Sequence, residues 1–179
     1  PAESNRLERD GVTEDDSLFT ITQTHLDSGM RGIPVGTCKT SFVDPIEGVH
    51  YVGYPVEDLA DLEEEDVVYL LMHKRLPTEE ESEAFRAELA YRAMEMPTGA
   101  LRVLESLTPG SGHPMDWLSM GIMALGAADT TGDVRTDSMN LIARMPELMA
   151  RIFLLRGGNK EKLQPSRPEL GLVENFVHM

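Results

Sequence analysis

From Pro55 onward the apolar positions recur at helical spacing. Pro55 suits the first position of a helix, where a missing N–H costs nothing, and Val56, Leu59 and Leu62 follow three apart. Residues 64–74 hold Val67, Val68, Leu70 and Leu71, a nearly continuous apolar run that predicts a buried helix. Leu76-Pro77-Thr78 ends it. Thr78 with Glu81 three residues on has the form of a capping box, opening a helix to about Met94 with Phe85, Leu89 and Arg92 along one stripe. Its first turn, Glu79-Glu80-Glu81, complements the positive end of the helix dipole. Past the break at Met96-Pro97-Thr98, Leu101, Leu104 and Leu107 predict a short helix over 99–107. Pro114 opens the next, to about Ala128. Met115, Leu118, Ile122 and Leu125 share one face, and Gly121, Ala124 and Ala128 form a second, small-residue face that allows close packing on both sides. The longest helix spans about 137–156, where Leu141, Ile142, Met145, Leu148, Met149, Ile152 and Leu155 keep a three-four spacing. Pro146 predicts a kink inside it and Gly157-Gly158 its end. A last helix is expected from Pro168, with Met179 falling in its middle.

The first part of the chain has a different pattern. Residues 1–17 are rich in Glu, Asp and Ser and read as a polar tail. Residues 18–26 space Phe19, Ile21 and Leu26 with polar residues, which suggests an extended segment. Ser28 to Gly36 is a glycine-rich loop. Residues 37–43 and 48–54 flank Asp44-Pro45-Ile46-Glu47-Gly48, a turn, and together predict a hairpin. The expected architecture is therefore all-α with one small hairpin: a tail over 1–17 and a domain over 18–179.

Composition narrows the partners. Sixteen Lys and Arg against 31 Asp and Glu leave a net charge of -15, which repels nucleic acid and anionic membrane. An anionic ligand would need a local basic pocket, so single arginines gain interest. No apolar run approaches 18 residues, and the N-terminus lacks a signal peptide's pattern. The first residue is Pro1 rather than Met, as expected of a processed or excised chain. The lone Cys38 cannot form an internal disulfide, which fits a cytoplasmic location or a mitochondrial matrix.

Several stretches carry a resemblance. They are Gly29-Met30-Arg31-Gly32, Glu47 through Leu59, Val68 through Glu80, His113-Pro114-Met115 with Ala124-Leu125, Met139 through Pro146, and Glu174 through Met179. In this order, covering 29–179, they resemble the citrate synthase family, with a flavour closer to the mitochondrial-type enzymes. The resemblance implies a helical fold with a large and a small domain, of which this chain would be the N-terminal part of the large one. It implies a homodimer formed through the helices near 114–128 and 137–156. It implies condensation of acetyl-CoA with oxaloacetate to give citrate and CoA, with no metal and no permanently bound cofactor. In the family an Asp takes a methyl proton beside the thioester and two His residues stabilise the enol and polarise the oxaloacetate carbonyl. His25, His50, His73, His113 and His178 do not match those positions, so no catalytic residue is assigned and the chain alone is expected to be inactive.

Two arginines are candidate CoA contacts by the same resemblance. Arg31 matches an arginine that contacts the CoA phosphates, and a cation in a glycine-rich loop can approach an anion together with backbone N–H groups. Bridging to nearby acids is its other reading. Arg135-Thr136 precedes the long helix much as an Arg-Thr pair does in the mitochondrial-type enzymes, where the arginine reaches CoA across the dimer. The stretch to the helix is shorter here, and a plain surface arginine is the alternative. His113 reads as a cap before Pro114. Asp129, Asp133 and Asp137 are four apart but lack the alternating spacing of a calcium loop, and read as loop and N-cap residues. The run Asp61 to Asp66 reads as a solvated helix start. A 2-methylcitrate synthase using propionyl-CoA, or an acidic helical interaction module without turnover, are the competing expectations.

Overall fold

The computed structural model describes residues 19–29, 31–33 and 36–179, in two units divided after Cys38. The polar tail expected over 1–17 lies outside the described residues. In the first unit, α1 (Gln23–Ser28) replaces the extended segment expected over 18–26. Thr22 donates its N–H to His25 Nδ1 at 2.9 Å, and His25 returns its own N–H to the Thr22 carbonyl at 3.0 Å. This local pairing starts a helical turn that the alternation of Phe19, Ile21 and Leu26 does not reveal. Gly29, at φ 63°, closes it.

The second unit begins with a three-stranded antiparallel meander, β1 (Ser41–Asp44), β2 (Gly48–Tyr51) and β3 (Tyr54–Pro55). Phe42 pairs with His50, and Tyr51 with Tyr54. The predicted turn forms because Asp44 Oδ1 accepts the N–H groups of Ile46 and Glu47, at 2.7 and 2.8 Å. The third strand went unforeseen because its turn puts Val52 at φ 53°, a conformation β-branched residues rarely adopt. Pro55 pairs with His50 and stands just before α2 (Val56–Leu59), rather than as its first residue.

Helices fill the rest: α3 (Glu64–His73), α4 (Glu79–Ala93), α5 (Thr98–Glu105), α6 (Pro114–Asp129), α7 (Val134–Arg156) and α8 (Leu172–His178), with a 3₁₀ turn at Lys160–Lys162. The Thr78–Glu81 capping box is present: Glu81 N–H meets Thr78 Oγ1 at 3.3 Å and Thr78 N–H meets Glu81 Oε2 at 2.9 Å. Two apolar clusters share α7. Ala100, Leu104, Trp117 and Leu125 from α5 and α6 meet Leu148 and Ile152, while Tyr69, Phe85 and Leu89 from α3 and α4 meet Met139 and Ala143. Helix α7 runs through Pro146, which is buried; the carbonyl of Ile142 thereby loses its partner one turn on.

Two further helix starts differ from expectation. Helix α7 begins at Val134, three residues early, because Asp133 is its cap and accepts from Thr136 N–H at 2.8 Å. Helix α8 begins at Leu172 rather than Pro168. The buried Glu65 of α3 accepts Leu172 N–H at 2.6 Å, and Asn175 binds the Arg167 backbone on both its N–H and its carbonyl. No described helix is long and apolar enough to cross a membrane.

Helix α6 is only half covered within this unit. Trp117, Gly121 and Leu125 are buried, whereas Met115 and Met123 are 57% and 74% exposed. Gly121 lets α6 approach α7 closely: a Cβ there would stand 2.8 Å from Leu148 Cδ1, and Leu148 is fully buried. Leu148→Ala is expected to cost about 2–5 kcal/mol by leaving a cavity, and Gly121→Ala about 1–3 kcal/mol by overpacking. The double variant should cost less than the sum, since the new methyl occupies the space Leu148 vacates. Equilibrium urea unfolding of the three variants reads this directly.

Candidate functional site

The described histidines and acids sort first into structural work. His113 Nδ1 accepts Met115 N–H at 3.2 Å while Asp116 accepts His113 N–H at 3.1 Å, so His113 caps α6 as expected. Asp129 pairs with Arg144 at 2.5 Å. Asp137 gathers the loop before α7, accepting from Thr130 Oγ1, Thr131 N–H and Oγ1, and Gly132 N–H at 2.7–3.2 Å. Those bonds hold its carboxyl at about 2, well below the ordinary 3.8. The three aspartates thus meet the Arg144 guanidinium, the Thr136 N–H and the loop over Thr130, Thr131 and Gly132, respectively. Glu63, Glu64 and Glu65 lie together at the start of α3, where their charge complements the helix dipole.

Arg31 is exposed in a turn of the first unit, beside Gly32 at φ 78°. Arg135 is in the second unit. It lies within the first turn of α7, not before the helix, and is exposed. A cation at that end opposes the helix dipole, so helix stability does not account for it. Its Nη2 donates to His73 Nε2 at the C-terminal end of α3. Among the described residues it makes no ion pair with a carboxylate.

His73 is itself tightly fixed. Its ring stacks on Tyr69, centroids 3.9 Å apart, and meets the Phe85 ring edge-on at 6.2 Å. Arg75 lies over Tyr69 and donates to its hydroxyl at 3.0 Å. Glu81 accepts from both Arg75 terminal nitrogens, at 2.7 and 2.5 Å, from within the Thr78 capping box. The Arg75 guanidinium, chiefly, holds the Glu81 carboxyl at about 2, against an ordinary 4.5; burial, chiefly, raises the Tyr69 phenol. A continuous line of contacts thus runs from the start of α4 to Arg135. Of its members, only the Thr78–Glu81 box and Arg135 stand out in the sequence. The four-residue spacing of Tyr69 and His73 puts them on one helix face, a signal that could have been used.

Comparison with known proteins agrees with this fold. The family described as "Citrate synthase, C-terminal domain" matches residues 29–179. A citrate synthase of Haloferax volcanii is 34% identical over 165 residues, 86% of this chain and 43% of that protein. A 2-methylcitrate synthase of Mycobacterium tuberculosis is 36% identical over 160 residues, 84% of this chain and 39% of that protein. The solved citrate synthase of Thermotoga maritima matches with a TM-score of 0.71 at 28% identity, over 86% of this chain and 40% of that one.

The chain belongs to the citrate synthase family. It spans about two fifths of the length of these relatives. The mostly helical fold with a small sheet is that of the solved family members it matches.

The depressed carboxyls have a measurable consequence. An unfolded chain binds protons at these groups at higher pH than the folded one. Their contribution to stability is therefore complete above the ordinary values of 3.8 and 4.5, and is lost as pH falls toward about 2. Asp137→Asn should make the loss of stability on acidification shallower between those limits, as read from urea midpoints at a series of pH values.

Proposed function

We propose that this chain is the N-terminal part of the large domain of a citrate synthase, supplying scaffold, dimer surface and CoA contacts for the condensation of acetyl-CoA with oxaloacetate. Family membership supports the reaction class. The observation that carries the site reading is the exposed Arg135, held by the His73 imidazole and in no ion pair among the described residues, with the Asp133 carboxyl acting on it only at longer range. Its charge is available for a phosphate, and a guanidinium binds phosphate oxygens through paired N–H groups. Arg31, in its glycine-flanked turn, is the second CoA contact in this reading. The acid–base groups belong to family motifs that these 179 residues do not contain, so the chain by itself should show no turnover. A location in the cytoplasm, or in the matrix of a mitochondrion, belongs to the same reading.

The dimer would form through α6 and α7. Met115, Met123 and Phe153 are large apolar side chains on these helices left 57–74% exposed, which a partner subunit would cover. A second reading, 2-methylcitrate synthesis from propionyl-CoA, is supported by the 36% identity to the Mycobacterium tuberculosis protein.

Arg31→Ala in the full-length protein encoded by the gene is expected to raise KM for acetyl-CoA about tenfold, one lost charge-assisted bond, while KM for oxaloacetate stays. Unchanged constants for both substrates would remove Arg31 from the site. Turnover of propionyl-CoA in preference to acetyl-CoA would select the second reading. Sedimentation of the 179-residue chain tests assembly: a dimer is expected, and a well-folded monomer would remove α6 and α7 from the interface.

A further inference from the structure

His73 can play one hydrogen-bonding role at each ring nitrogen, and its neighbours decide which. The Tyr69 carbonyl, 3.1 Å from Nδ1, can only accept, so Nδ1 carries the hydrogen. A guanidinium can only donate, so Nε2 is the bare acceptor for Arg135. These two partners together place the ring hydrogen on Nδ1 and the lone pair on Nε2. An imidazole partner differs from the carboxylates at Arg75, Arg144 and Arg92, while Arg156 is held by the Ser111 and Gly112 carbonyls. A carboxylate at Arg135 would fix the side chain and also cancel its charge. The imidazole fixes it without itself adding a negative charge beside it, the Asp133 carboxyl acting only at longer range.

We infer that His73 is a positioning residue for Arg135: its Nε2 lone pair holds the guanidinium in place for an anionic phosphate group without neutralising it. This rests on the proposed reading of Arg135 as a contact to the acyl-CoA. Order in the acceptor comes from the line behind it. Tyr69 carries the ring on its face, Arg75 holds the Tyr69 hydroxyl, and Glu81 holds Arg75 from the first turn of α4. The gain is preorganisation. A long, rotamer-rich side chain already held near its bound geometry loses less freedom on binding. The effect belongs to substrate affinity, not to the chemical step, because His73 touches neither substrate nor the reacting atoms in this scheme.

Two substitutions separate this role from simple packing. His73→Phe keeps an aromatic ring on Tyr69 and removes the acceptor. His73→Gln gives up the stack and returns a carbonyl oxygen at the reach of Nε2. In the full-length protein, His73→Phe should raise KM for acetyl-CoA about two- to tenfold, with kcat and KM for oxaloacetate unchanged. His73→Gln should restore most of the loss. Arg135→Ala should raise the same KM at least as much, and adding His73→Phe to it should change nothing further. A normal KM in His73→Phe beside a raised one in Arg135→Ala overturns the inference and leaves the Arg135 reading standing. No change in Arg135→Ala overturns both. A His73→Gln protein as impaired as His73→Phe assigns His73 to packing and overturns the inference. Nitrogen NMR shifts of the His73 ring in the unsubstituted protein give a reading that needs no variant to fold: the hydrogen is expected on Nδ1, and a hydrogen on Nε2 would overturn the proposal.

Discussion

Helices α4, α5, α6 and α8 all pack on one helix of the second unit. Helix α7 presents Leu148 and Ile152 to α5 and α6, and Met139 and Ala143 to α3 and α4. A helix with apolar residues on two sides has to be covered twice, and the two clusters are the two covers. Close approach is what makes the first possible, since Leu148 occupies the space where Gly121 has no side chain. The buried proline in the same helix is tolerated because packing on both sides, rather than an unbroken hydrogen-bond ladder, holds α7 in place.

The strongly acidic composition is put to use at helix ends and loops. Glu81 completes the capping box of α4, Asp116 and Asp133 serve the starts of α6 and α7, and Glu65 serves the start of α8. Asp137 ties the loop in front of α7, and Asp44 ties the first hairpin turn. Backbone N–H groups, chiefly, hold the Asp44 and Asp137 carboxyls below their ordinary range. Against that background, an arginine in the first turn of α7 with an imidazole for a partner is out of pattern, and the departure coincides with the residue that the family resemblance independently singles out.

Much of the helical plan was legible because it is written in local, repetitive signals. The three-four spacing of Leu141 through Leu155, the Thr78–Glu81 pair and the Pro114 start each involve residues a turn or so apart. The places where that reading failed share a cause. The first residue of α8 is set by Glu65, 107 positions away. The start of α7 depends on whether Asp133 or Asp137 caps it, two residues of one type that only their neighbours distinguish. The turn into α1 rests on a Thr–His pairing that apolar periodicity does not register, and β3 on a valine in a glycine-like conformation.

The candidate site divides along the same line. Residue type and order carry Arg31, Arg135 and the His113 cap, each from a short run of sequence, and membership of the citrate synthase family from several such runs in order over 29–179. Tertiary structure alone decides that α3 ends beside the start of α7, bringing His73 to Arg135 across 62 positions. It decides as well that Tyr69, Arg75 and Glu81 stand behind that contact. Hydrogen bonds act over about three ångströms, so partners remote in sequence come within reach only once both faces of α7 have been packed.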